Sequence, residues 1–428
     1  MWLIRDGYNL PEYFMKKKNL RSKQWFDNPE DPGQTAIYLE RYLNYGLKRE
    51  DLQSGKPIIG IAQSGSDLSP CNRHFLELSE TIKKGIQDAG GVPMEFPTHP
   101  IQETGKRPTA ALDRNLSYLS LVEVLYGYPI DGVILTTGCD KTTPAALMAA
   151  ATVNIPSIVL SGGPMLDGHY KGKKAGSGTI IWEARRLLAK GQINYDEFMD
   201  MATASSPSIG HCNTMGTASS MNSIAEALGM SLTGGAIIPA PYKERKDISY
   251  QTAKRIVEMV NEDLTPSKIM TKKAFENAIR VASAIGASSN CPPHLIAIAK
   301  HMGIKIDIDD WQRLGHEMPL LVNCQPAGEH LMEGFFKAGG IPAVMQELIK
   351  NNKIHKDVLT VTGKTIAENL NKDINIDENV IRSFSNPLVK NAGFIIMRSN
   401  FFSSAVMKTS VISNEFRDRY LSNPKNPN

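Results

Sequence analysis

The stretch GVILTTGCDKTTPAALMAAA, residues 132–151, sets a cysteine, an acid and a lysine between a run suited to a buried strand and a run suited to a helix. GVILTT is short and mostly β-branched, whereas PAALMAAA is made of strong helix formers. Between them, Gly138 ends the strand and Cys139-Asp140-Lys141 occupy the loop. Thr143-Pro144 reads as a helix start, with threonine as N-cap and proline at the first helical position. Two charges flanking an apolar element have little structural use there. A site at the carboxyl end of a strand would use all three side chains.

The neighbouring sequence repeats the pattern. KPIIGIAQ (56–63), DGVILTTG (131–138) and IPSIVLSGG (155–163) are short apolar runs bounded by Gly or Ser, and amphipathic stretches such as HFLELSETIKKGIQDAGG (74–91) lie between them. Strands separated by helices indicate an α/β fold, a parallel sheet with helices on both faces. Ligands of such sheets gather at the carboxyl ends of the strands.

In IIGIAQSGSDLSPCNRHFLEL (58–78) a strand again runs through a Gly/Ser loop, and Ser69-Pro70 reads as a second cap-plus-proline start. Cys71 is then expected in the first helical turn, where free N–H groups and the helix dipole favour a thiolate. The third cysteine of interest, Cys212, lies between Gly210 and Gly216, before an Ala/Met-rich helix that should stop at Gly229. Three thiols on three loops can converge. An iron–sulfur cluster held by three cysteines keeps an iron with an open position that can act as a Lewis acid. Asp140 beside it offers oxygen to a hard cation such as Mg²⁺. Lys141 would ligate such an ion only after carbamylation turned it into a carboxylate.

Composition limits the alternatives. At 428 residues the chain exceeds the ~250–300 residues at which a single core stops growing, so two domains, or one large domain and a piece, are expected. The apolar share of 41% and charged share of 21% are those of a globular protein. A net charge of +4 without a basic cluster interleaved with aromatics argues against nucleic acid. No apolar run reaches the ~18 residues of a membrane helix, and the start lacks the apolar core of a signal peptide, so a cytoplasmic location is expected. Five cysteines, at 71, 139, 212, 291 and 324, are odd in number, widely spaced and without a CxxC pair. That favours reduced thiols over a disulfide framework or a zinc ribbon. Cys291 and Cys324 are expected as small apolar fillers, and His74, His99, His169 and His211 as surface or hydrogen-bonded histidines. Without the family argument below, a zinc-dependent or structural thiol protein is the competing reading.

SDLSPCNRH (66–74), TTGCDKTTPA (136–145), LSGGPML (160–166) and GHCNTMGTASSMNS (210–223) resemble signature segments of the dihydroxyacid and sugar-acid dehydratases, the IlvD/Edd family of hydro-lyases. RSKQWFDNPEDPGQTAIYLERYLNYGL (21–47), EFPTHPIQETGKRPTAALDRNL (95–116) and MPLLVNCQPAGEHL (318–331) resemble its sugar-acid branch. The resemblance implies an iron–sulfur cluster on Cys71, Cys139 and Cys212, with [2Fe-2S] expected over [4Fe-4S]. It implies Mg²⁺ on Glu103, Asp140 and carbamylated Lys141. The glutamate at 103, where the dihydroxyacid branch usually has aspartate, sorts the chain with the sugar acids. The implied reaction is dehydration of an aldonate, such as D-xylonate, L-arabonate or D-gluconate, to a 2-keto-3-deoxy acid by a homo-oligomer, dimer or tetramer. Dehydration of a branched-chain dihydroxy acid is the alternative within the family.

The chain also departs from the family pattern. The family's serine base and a further glutamate ligand fall in a β-rich second domain beyond residue 428, so no catalytic residue is identified. NAGFIIMRSNFFSSAVMKTSVISNEF (391–416) resembles only the opening of that domain. The expected division is therefore 1–385, an α/β cluster- and Mg-binding domain, and 386–428, the incomplete start of a β domain. An inactive remnant, or a subunit needing a C-terminal partner, is the corresponding alternative. ASSNCPPHL (287–295) replaces a Gly-Gly-Ser-Thr-Asn-Ala run and brings Cys291 near a site-lining loop, and Ser399 stands where glycine is typical. Residues 394–412 are expected to expose strand edges and apolar surface, hence to aggregate or stay disordered unless covered.

Overall fold

Three of the four strands in the central sheet are buried along their whole length, and the fourth is not. The computed structural model, which describes residues 20–106, 109–370, 374–413, 415, 416 and 419, contains a parallel sheet of β1 (Ile58–Gln63), β2 (Val92–Pro97), β3 (Gly132–Thr137) and β4 (Ser157–Ser161). Their spatial order is β2-β1-β3-β4. Strands β1, β3 and β4 bury every residue, as apolar runs covered on both faces must. Strand β2, absent from the sequence expectation, lies at an edge and is only partly buried. Its register pairs Pro93 with Ile59 and Pro97 with Gln63. Proline lacks the N–H an inner strand needs, so VPMEFP fits an edge and hides its strand character.

Helix α1 (Phe75–Asp88) connects β1 to β2, α2 (Ala111–Gly127) connects β2 to β3, and α3 (Thr142–Val153) connects β3 to β4. From β1 the chain steps outward to β2, then crosses back over β1 to β3 and on to β4. Right-handed crossovers in opposite directions place α1 on one face and α2 with α3 on the other. Further helices complete both layers. α4 (Thr217–Ala227) packs on α3, and α5 (Lys243–Glu262) lies along α1 and reaches β3 and β4. α6 (Lys272–Ala284) packs on α4, and α7 (Cys291–His301) packs on α3. Gly132 lets α5 approach closely: a Cβ there would come 2.6 Å from a Val260 methyl. One apolar core runs from Phe26 through the sheet to Phe394.

Outside the sheet lie two antiparallel pairs, β5 (His169–Tyr170) with β6 (Lys173–Lys174), and β7 (Phe394–Met397) with β8 (Ala405–Lys408). The second pair bears on the expectation of exposed edges and apolar surface at 394–412, covering its root and leaving its tip open. Phe394 is buried edge-on against the Trp311 ring at 5.1 Å, and Thr409 donates to the Gly393 carbonyl at 2.7 Å. The exposed apolar surface is confined to the tip and flanks, with Phe401 91% exposed. Residues 1–19 and 420–428, where the expected domains begin and end, lie outside the described residues.

Both expected helix starts shift. Helix α1 begins at Phe75, because Ser66–Ser69 form a bridge and tight turns follow through His74, so Cys71 precedes the helix instead of sitting in its first turn. Helix α3 begins at Thr142 with Lys141 as N-cap, and Pro144 falls at the third helical position. An N–H there would lack an intrahelical partner in any case, so proline costs nothing. Among the described residues no helix is long and apolar enough to cross a membrane.

Candidate active site

The loop after β1 runs to a helix on one face and the loop after β3 to a helix on the other. Between them opens the crevice that a change of winding direction creates, the usual ligand position in such sheets. Cys71 comes from the first loop and Cys139, Asp140 and Lys141 from the second.

Two asparagines tie the loops together. The Asn72 amide donates to Ser64 Oγ at 3.0 Å, and its Oδ1 accepts the Cys139 N–H at 3.0 Å. A Cβ at Gly138 would strike Asn72 Oδ1, so this approach requires glycine. From α4, Asn222 Oδ1 accepts from the hydroxyls of Thr137 (3.1 Å) and Thr143 (2.9 Å). Its amide donates to the Gly138 carbonyl (3.3 Å) and to His211 Nε2 (3.2 Å). Thr143 thus serves Asn222 and not the helix end, while Thr142 closes the loop by donating to the Cys139 carbonyl at 2.8 Å. With Nε2 accepting, His211 carries its proton on Nδ1, which donates to the Cys212 carbonyl at 3.0 Å. Burial keeps this ring neutral, its pKa down to about 3. The segment bearing Cys212, which no strand precedes, is fixed to the β3 loop in this way.

Cys71 and Cys139 perturb each other's ionisation, and Cys212 acts on Cys71 as well. Gln102 Nε2 lies 3.5 Å from Cys71 Sγ. The neighbouring Cys139 thiol raises the Cys71 pKa, with burial adding to it, and Cys71 in turn lowers that of Cys139. Burial pushes Cys212 up to about 11, against a hydrogen bond from Ser177.

Glu103 lies in a single turn, Glu103–Gly105, where the Thr109 hydroxyl (2.8 Å) and the Ala110 N–H (3.2 Å) donate to its carboxylate. Its Oε2 is 3.2 Å from Lys141 Nζ, and Lys141 is only 2% exposed. Burial raises the Asp140 pKa and Glu103 adds to this, while Lys141, the Thr217 hydroxyl and the Ala218 N–H oppose it. Glu103 thus pairs with Lys141, and the charges of both act on Asp140. Among the described residues no three His, Cys, Asp or Glu side chains stand at the spacing of a single bound ion. The six sequence candidates instead form two adjoining sets, three sulfurs and two acids around an amine.

Cys291 and Cys324 are buried, and burial pushes both thiols up, Cys291 to about 12. His74 bonds the Gly162 carbonyl at 2.9 Å, His99 bonds Asp113 at 3.0 Å, and His169 is exposed. Sequence reasoning missed Asn72, Asn222 and Thr217, whose only signal is their place inside the cysteine-bearing motifs. It also missed His294, 3% exposed, whose ring burial and the Lys141 charge hold neutral, its pKa down to about 3. Lys408, on β8, faces Cys291, and burial lowers its pKa to about 8.

A cavity of about 1170 Å³ lies elsewhere, along the outer edge of β2 between Tyr42, Tyr45, Met94, Phe96 and Tyr128.

Comparison with known proteins bears on this arrangement. The family model for the dihydroxy-acid/6-phosphogluconate dehydratase N-terminal region matches residues 56–369. The chain is 59% identical over 407 residues to D-xylonate dehydratase of Caulobacter vibrioides, covering 95% of this chain and 68% of that protein. It is 45% identical over 405 residues to L-arabinonate dehydratase of Rhizobium leguminosarum bv. trifolii, covering 93% and 69%. Against dihydroxy-acid dehydratase of Clostridium novyi the identity is 39% over 388 residues, covering 89% and 69%. The chain belongs to the dihydroxy-acid/6-phosphogluconate dehydratase family, whose members are hydro-lyases.

Proposed function

We propose that this protein dehydrates a sugar acid, an aldonate of the D-xylonate or L-arabonate kind, to a 2-keto-3-deoxy acid. The observation that carries the reading is the meeting of Cys71, Cys139, Glu103, Asp140 and Lys141 at one buried crevice, with Cys212 beside them. Relatives named for sugar acids, at 59% and 45% identity, supply the substrate class.

The residues fit the cofactors that the reading requires. Burial and mutual repulsion oppose ionisation of Cys71 and Cys212, and a positive group among the three sulfurs would reverse that. Cys71, Cys139 and Cys212 would hold an iron–sulfur cluster, and Glu103, Asp140 and a carbamylated Lys141 would hold Mg²⁺. Bound there, the two would supply the Lewis acidity that a departing hydroxyl needs.

The chain's own part is positioning and exclusion of water. Asn72 and Asn222 fix the loops, and Glu103 and Lys141 sit where a sugar acid's oxygens would be received. Loss of the C2 proton and the C3 hydroxyl gives an enol and one water, and the enol becomes the 2-keto acid. In the same reading, residues 1–385 form the cofactor-binding unit and 386–428 belong to a β-rich one.

Iron and acid-labile sulfide are measured on the purified protein, which is then incubated with D-xylonate, L-arabonate and D-gluconate while 2-keto acid is recorded. Iron, sulfide and keto acid from at least one substrate are expected. Colourless protein that carries only zinc and makes no keto acid would sink the reading.

A further inference from the structure

Gln102 stands between the sulfur set and the acid set. Its neighbour Glu103 reaches Lys141 Nζ at 3.2 Å, while its own Nε2 lies 3.5 Å from Cys71 Sγ. The turn that carries both is fixed on either side of Gln102. Ile101 is fully buried and packs with Ala110 and with Ala145 of α3, and the Thr109 hydroxyl and the Ala110 N–H hold the Glu103 carboxylate. At the amide itself, Nε2 also donates to Thr104 Oγ1 at 2.8 Å. An amide nitrogen carries two hydrogens, so with one committed to Thr104 the other is left for the sulfur.

This orientation has a cost, because Gln102 Oε1 is buried and meets no partner among the described residues. A buried acceptor left unmet is unfavourable, and the sulfur of a neutral thiol is too weak an acceptor to offset it. A thiolate bound to iron is a stronger one, since charge assists the hydrogen bond, and it has no proton to donate in return. We propose that Gln102 is a positioning residue for the cluster: its Nε2–H donates to the sulfur by which Cys71 would hold iron, and Thr104 keeps the amide turned that way.

The electronic consequence follows from charge. A hydrogen bond to a ligating sulfur draws electron density from it and stabilises the more negative, reduced state more than the oxidised one. Removing the donor should therefore lower the reduction potential. The inference rests on the proposed cluster site but not on its reaction, because the readouts are electrochemical and spectroscopic.

The test compares the full chain, loaded with iron and sulfide, with Gln102→Leu, Gln102→Glu and Thr104→Val. Iron and sulfide per chain are measured first. Each protein is then titrated with dithionite in the presence of redox mediators, and the reduced cluster is studied by pulsed EPR in protein whose glutamine side-chain amides carry ¹⁵N. The wild type should show a ¹⁵N coupling that Gln102→Leu lacks. Gln102→Leu should shift the reduction equilibrium about tenfold toward the oxidised form, about 59 mV for one electron. Gln102→Glu should shift it further, because a carboxylate sets negative charge beside the sulfur. Thr104→Val, at an exposed position where folding is not at stake, should shift it in the same direction and by less, since the donor remains but is no longer aimed. A wild type without the ¹⁵N coupling, or equal potentials for the wild type and Gln102→Leu, overturns the proposal and leaves the proposed function standing. A wild type that takes up neither iron nor sulfide sinks both. The expected shifts in a protein that dehydrates no aldonate would sink the proposed reaction and leave the role of Gln102 in place.

Discussion

The groove along β2 and the crevice between β1 and β3 lie on the same sheet and differ in nearly every physical respect. The groove opens about 1170 Å³ beside an edge strand, and Tyr42, Tyr45, Tyr128, Phe96 and Met94 are among its lining residues. The crevice instead forces unlike groups together: three thiols, two carboxylates and a lysine, of which Cys139 and Lys141 are buried and the other four partly exposed. Space collects where an edge strand ends the packing. Chemistry collects where two loops diverge and long-range hydrogen bonds hold them.

The contrast can be broken most decisively at the sulfurs. Cys139→Ser is expected to remove nearly all bound iron and dehydratase activity, as read by iron analysis and the keto-acid assay. Retention of iron would transfer the cofactor, and the contrast, elsewhere. Asn222→Ala comes next. It abandons four buried hydrogen bonds between α4, the β3 loop and His211, so a loss of about 3 kcal/mol is expected in urea unfolding. A loss no larger than that of a surface site would mean that the loops hold themselves.

Lys408→Met, on β8, should stabilise, because it removes a partly buried ammonium that has no hydrogen-bond partner among the described residues. The pKa of Lys408 falls from 10.5 to about 8 on burial, so folding disfavours its charged form. The gain from the substitution should be about 2 kcal/mol at pH 7 and should shrink as pH rises from about 8 to about 10.5. Urea titrations of both proteins across that window would show it, and a gain independent of pH would mean that packing and not charge is responsible. Tyr45→Ser, in the groove and already 62% exposed, should change stability by no more than about 0.5 kcal/mol and leave iron and activity untouched. Any larger effect on activity would give the groove a function.

Strands β1, β3 and β4 were legible because burial on both faces demands uninterrupted apolar runs that local sequence cannot disguise. Strand β2 was not, since its two prolines are tolerable only at an edge, and which strand lies at an edge is settled by its neighbours. The start of α1 failed for a similar reason. Ser69-Pro70 satisfies the local rules of a helix start, yet the chain turns there to bring Asn72 to the Cys139 N–H, a partner 67 residues away. Thr143 looked like a cap and instead meets Asn222, 79 residues away. Of the candidate site, the six residues could be named from their motifs, but the pairing of Cys71 with Cys139 and of Glu103 with Lys141 could not. His294 gave no signal at all, because a histidine on an apolar helix is ordinarily a satisfied core residue.

By itself the sequence determined the fold class, the family, and which loops carry sulfur and charge, because strand burial, helix propensity and motif spacing act over a few residues. Tertiary structure alone decided that the proline-bearing strand lies at an edge and how three separate loops are drawn to one crevice. Those outcomes depend on contacts between residues far apart in the chain, for which no local pattern is required.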